Sequence, residues 1–233
     1  MTVGEMHTDF KVSTDKVDSR NFPEFKPEEI DILINLAIER FIHQRAYGNN
    51  PRKEGLEETQ KRFDDLLTLI TPAIITAFTT PTGTKPNGQV AALPTDYWHM
   101  VQEDATITYT DCNSVVQTVV VPIIPITHER YNKVIRDPFN KPTEKKVIRI
   151  GQTSDVELIR GAGTTLTAYN FRYIRRPASV RYGTTYSVPT TDVNCDLPDH
   201  THREIIQLAR SLALGIIESK SVQVSDKDTI TQE

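Results

Sequence analysis

Apolar residues recur at helical spacing at both ends of this chain and alternate with polar ones between them. From Cys195 to Lys220, the residues Ile205, Leu208, Ala209, Leu212, Ala213 and Ile216 form one stripe along a helix. Thr201, followed three positions later by Glu204, has the spacing of a capping box, in which two orphan backbone donors at a helix start find acceptors. A matching stripe near the other end joins Ile30, Leu33, Ile34, Ala37, Ile38 and Phe41. Its helix is expected to start at Pro27, with Glu28 and Glu29 on the positive end of the dipole, and to stop at Gly48 before the Asn49-Asn50-Pro51 turn. A second helix is expected from about Leu56 to Ile70, with Pro72 as its kink or stop. Two such helices joined by a short turn read as an antiparallel hairpin.

Turn residues fill Thr79 to Gly88, and from about Ala91 to Val180 the period changes to two. "DATITYT" and part of "SVVQTVVV" alternate and are β-branched. Pro122 and Pro125 confine "VPIIPI" to a sheet edge or exit. Tyr131, Val134 and Ile135 predict one or two helical turns before Pro138, and "KKVIRIG" a short strand. "DVELIRGAGTTLTAYNFRYI" reads as a hairpin around Gly161-Ala162-Gly163. The resulting expectation is an α+β chain: an antiparallel helical bundle, formed by an N-terminal helical hairpin and a C-terminal helix, with an inserted β-rich subdomain. Its parts are a flexible N-terminal arm over 1–25, the hairpin over 26–78, the β-rich subdomain over 79–195, the closing helix over 196–220 and a flexible tail over 221–233.

Composition narrows the function. With 37% hydrophobic and 25% charged residues the chain is ordinary for a globular protein, and it holds no apolar run long enough for a membrane span. The first 25 residues mix acids and bases and lack the apolar core of a secretory signal. Cys112 and Cys195 do not make a disulfide framework and are expected as free thiols in a reducing cytoplasm. A net charge of −4 argues against a surface that holds nucleic acid throughout, because such binding rests on neutralising phosphates.

Two constellations invite chemistry. Cys195, Asp196, Asp199, His200 and His202 gather metal-ligand types, but two histidines two apart point to different sides, so a solvated helix entrance is the stronger reading. The segment Tyr169–Pro177 interleaves aromatics with Arg172, Arg175 and Arg176, and Arg181 follows. Period two places Tyr169, Phe171 and Tyr173 on one buried face, leaving Arg172 for solvent or a partner. Arg172, Arg175, Arg176 and Arg181 are therefore the candidate interface or DNA-facing residues. A nucleophile elbow and a phosphate-binding glycine loop are both missing from the sequence, and no catalytic residue, metal or cofactor is expected.

Four stretches in this order, "LPTDYWHMV" (93–101), "PITHERYNKVIRDPFNKP" (125–142), "FRYIRRPASV" (171–180) and "DLPDHTHREIIQLARSLALGIIES" (196–219), resemble head-to-tail connector proteins of short-tailed bacteriophages. The likeness is to the portal-proximal ring, or adaptor, protein of crAss-like phages. It implies a structural virion protein, assembled in the bacterial host cytoplasm into a ring of about twelve copies between portal and tail. The genome would pass through its central channel as double-stranded DNA without specific binding. Implied partners are the chain itself, the portal protein and the adjacent tail rings, with terminal arms gripping neighbours. Other readings of the same residues are a tail ring further from the capsid, or a small nucleic-acid-binding module using the arginines.

Overall fold

A computed structural model describes residues 1–18, 25–47, 60–183 and 191–216. It divides the chain into two compact units, one made of 1–69 with 177–233 and the other of 70–176. Among the described residues the dominant element is a seven-stranded mixed sheet, accompanied by five α-helices, and this corrects the expected helical bundle with an inserted β subdomain.

The sheet fills the second unit. Its strands are β1 (Ile70–Ile75), β2 (Gly88–Ala92), β3 (Tyr97–Thr110), β4 (Val116–Ile126), β5 (Val147–Gly151), β6 (Asp155–Ile159) and β7 (Thr164–Arg175), in the spatial order β1-β7-β3-β4-β5-β6-β2. Every neighbouring pair is antiparallel except β4 with β5. β4 changes partner along its length: Val116–Pro122 pair with β3, and Ile123–Ile126 pair with β5. Pro122 stands at that switch rather than at the rim of the sheet. One core collects Ile107, Val121, Val147, Leu158, Tyr169 and Phe171 from the alternate positions of these strands. A second, smaller one places Ile148, Ile150 and Ile159 with Tyr131, Val134 and Ile135, so β5 and β6 are largely buried on both faces, with Arg149 and Glu157 among their apolar residues. Tyr131, Val134 and Ile135 belong to the short helix Tyr131–Arg136.

Two sequence readings fail here for identifiable reasons. The helix expected to run to Ile70 ends at Leu66 with a 3-10 turn to Leu69, and Ile70 opens β1. The β-branched run Ile70, Thr71, Ile74, Ile75 favours a strand. Pro72 is tolerated because β1 is a rim strand, where a missing donor can face away from the ladder. The segment around Gly161–Gly163 does reverse the chain, with Gly163 at φ +77°, yet β6 and β7 do not pair. β6 joins β5 and β2, whereas β7 lies between β1 and β3. Turn chemistry specified the reversal, and long-range burial chose the partners.

The first unit carries α1 (Val3–Asp18), α2 (Pro27–Tyr47), α3 (Gln60–Leu66) and, after the Tyr131–Arg136 helix (α4), α5 (His202–Ile216). α2 begins at Pro27 as expected, with Ile30, Leu33, Ile34, Ala37, Ile38 and Phe41 all buried. The stretch expected as an extended arm is largely helical. Its sparse stripe of Val3, Met6 and Phe10, at i, i+3 and i+7, is fully buried, and α1 packs chiefly on α5. Inside α5 the buried face is wider than the stripe, taking in Ile206 and Leu214 while Ile216 is exposed. The capping box does not form: Thr201 Oγ1 donates to the Pro198 carbonyl, and Glu204 is drawn away to Arg45. The expected start of the 56–70 helix and the tail over 221–233 lie outside the described residues.

Candidate functional site

The candidate arginines divide between the units. Arg172 and Arg175 lie at the end of β7 and Arg176 just beyond it in the sheet unit, whereas Arg181 belongs to the helical one, where its backbone bridges Val193. Arg172 is exposed beside Pro72 of β1 and Gln102 of β3, as the alternation requires. Arg175 is half-buried, and Arg176 is exposed with its N–H donated to the Asp96 carbonyl. On the opposite face of β7, Tyr169 stacks on Phe171 at 4.7 Å and Phe171 meets Tyr173 at 5.6 Å, all three buried. These aromatics are core, not a platform for bases.

The same buried face holds a charged group. Glu103 Oε2 accepts from Tyr169 Oη at 2.9 Å and lies 2.9 Å from Arg149 Nε. Burial raises the Glu103 carboxyl above its ordinary value, while Arg149 opposes the rise. Burial likewise pushes the Tyr169 phenol up, with the neighbouring carboxylate adding to the effect. The trio ties β3, β5 and β7 together through a satisfied buried charge.

A second charged node pins the helices. Arg45 of α2, about 2% exposed, reaches Asp65 of α3 at 3.0 Å and Glu204 of α5 at 2.6 Å. His200 Nε2 adds a contact to Asp65 Oδ1 at 2.8 Å. Toward the other end of α2, His7 and Asp31 are both buried and 2.7 Å apart, and the second Asp31 oxygen accepts the Tyr182 N–H. The residues that suggested a metal go separate ways: His200 turns to Asp65, and His202 donates from Nε2 to the Leu197 carbonyl at 2.9 Å. Among the described residues no three His, Cys, Asp or Glu side chains converge on a metal position. Burial pushes the Cys195 thiol up to about 11, so it is a poor nucleophile at neutral pH.

Exposed apolar side chains mark what the sequence reading missed. Val116, Val119, Val120 and Ile124 are exposed along β4, with Val115 exposed just before it, and Ile74 is exposed on β1. Among the described residues the Val116–Val121 part of β4 has a ladder on its β3 side only, and β1 pairs with β7 alone. The signal was available in the sequence: the two longest stretches without a charged residue or histidine are Leu66–Thr84 and Cys112–Thr127.

Buried charges tie elements together within each unit, and the sheet unit carries long edges without a charged residue. The chain belongs to the phage tail ring protein 3/4 family, whose model matches residues 1–227. It is 30% identical over 230 residues to ring protein 4/5 of Bacteroides phage crAss001, a match that spans 91% of this chain and 92% of that protein. A crAss-like phage ring protein is thus established, and with it a place in the virion tail. No described helix is long and apolar enough to cross a membrane.

Proposed function

We propose that the chain is a non-catalytic subunit that assembles with copies of itself into a closed ring of the short tail, around a channel for the double-stranded genome. The observation that carries this reading is the family match over nearly the whole chain. A closed ring uses heterologous contacts, one patch of each subunit meeting a different patch on the next, and closure leaves no free end. Charge supports a conduit. About twelve copies at −4 each would together carry about −48, which favours sliding of the duplex over capture.

Two positions for the ring are open to test. A head-to-tail connector beneath the portal follows from the four motifs that resemble the adaptor. A tail ring further from the capsid is the alternative, and the matched family's description, a phage tail ring protein, is compatible with it. Negative-stain imaging of the purified chain with and without its portal separates them. Rings of about twelve are expected in either case; rings that stack on the portal support the connector, and rings that ignore it support the later position. A chain that stays monomeric at every concentration, and is missing from purified virions by mass spectrometry, defeats both.

A further inference from the structure

We infer that adjacent subunits meet through the open edge of β4 on one copy and the open edge of β1 on the next, the two strands running antiparallel. This inference rests on the ring reading and adds the surface that builds it. Strand direction is its first support. β1, β7, β3 and the Val116–Pro122 part of β4 alternate up and down in that order, so a following copy related head to tail presents its β1 antiparallel to β4. The sheet then continues across the boundary without a change of pattern, and the two patches differ, as a heterologous contact requires.

Charge is the second. Both edges sit in the two longest uncharged stretches of a chain in which a quarter of residues are charged. Open edges are ordinarily protected by lysine, inward charge or proline. The β4 edge from Val116 to Val121 has none of these and exposes Val116 and Val120 at 68% and 62%. On β1, Pro72 withholds one donor, so the ladder is interrupted there and side-chain contact, with Ile74 at 69% exposure, carries more of the join.

Size and stagger are the third. Six residues a side fall well short of the 20–30 that a standard interface uses, so an isolated pair is weak and the closed ring, in which every copy uses both edges, is the stable form. β1 stands level with His99–Ala105 of β3, whereas the open part of β4 stands opposite Ala105–Thr110. Joining them displaces the next copy by roughly 18 Å along the strands and roughly 19 Å across four of them. The strands then lean at about 45° to the ring axis, at the edge of the 35–45° range in which closed sheets settle.

The purified full-length chain tests this in two ways. The double variant Val116→Lys with Val120→Lys changes exposed side chains only, so its thermal melting should match wild type while rings vanish from micrographs. In a Cys195→Ser background, Thr76→Cys just beyond β1 should cross-link to the native Cys112 in the β3–β4 turn through a short bis-maleimide. A denaturing gel should then show dimers and higher species that need both thiols. Rings that persist with the lysines, or a cross-link that stays within one chain, overturn the inference and leave the ring reading standing. Absence of rings from the wild-type chain, alone and with portal, removes the ring reading itself.

Discussion

Arg45 shows how much a single buried group can decide. Its guanidinium is held between Asp65 and Glu204, and Asp65 is about 1% exposed. Removing the arginine takes the guanidinium from a buried carboxylate and leaves it the His200 contact, a loss of up to about 3–5 kcal/mol in comparable sites. Arg45→Met should therefore lower the stability of the chain by that amount in a urea titration, and an unchanged midpoint would refute the node. His202 offers a pH test. Burial lowers its pKa and outweighs the opposing rise from the Nε2–H bond to the Leu197 carbonyl, so the folded chain prefers the neutral ring. A base with a depressed folded pKa contributes fully above its unfolded pKa, here the ordinary 6.5, and loses that contribution as pH falls below it. His202→Gln keeps a donor for Leu197 and cannot titrate. Its melting temperature should fall less steeply than wild type below about pH 6.5.

Elements were legible where their own residues settled the matter. α2 began at Pro27 because proline, two glutamates and a dense stripe agree, and β5 and α4 were found from their periods. Legibility ended where distant residues decided. α1 was hidden because three buried side chains, Val3, Met6 and Phe10, are too few to stand out in a polar segment until α5 covers them. The pairing of β7 was hidden because a turn at Gly163 announces a hairpin whichever strands finally adjoin. Among the candidate arginines, the exposure of Arg172 was readable from alternation, but the Arg45 node was not, since its partners lie 20 and 159 positions away. α5 is the element on which the helical unit can be probed. Leu208 is about 1% exposed and belongs to the face that meets α2 and α1. Leu208→Ala should cost about 2–5 kcal/mol, the range for buried leucines that leave a cavity. Ile216→Ala, at the exposed end of the same helix, should fall within the scatter of surface changes. Equal losses at both positions would mean that the stripe is not what holds α5.

At the scale of the whole molecule the balance of charge bears on what can pass through a ring. Binding to a duplex grows with the number of phosphates a surface neutralises and weakens steeply with salt, so a protein that grips DNA concentrates cations on one continuous face. Of the candidate cations, Arg172 and Arg176 are exposed in the sheet unit, Arg175 is half-buried there, and Arg181 belongs to the other unit. The aromatics that might stack on bases are buried beneath the strand that carries the arginines. The chain as a whole is negative. A labelled duplex titrated with the purified chain at physiological salt should therefore show no saturable change in anisotropy. Weak binding at low salt is expected to disappear with a shallow slope, reflecting one or two phosphate contacts. Tight binding that persists at physiological salt, and is abolished by replacing Arg172, Arg175 and Arg176 with alanine, would instead identify a nucleic-acid-binding face and contradict a conduit through which the genome slides.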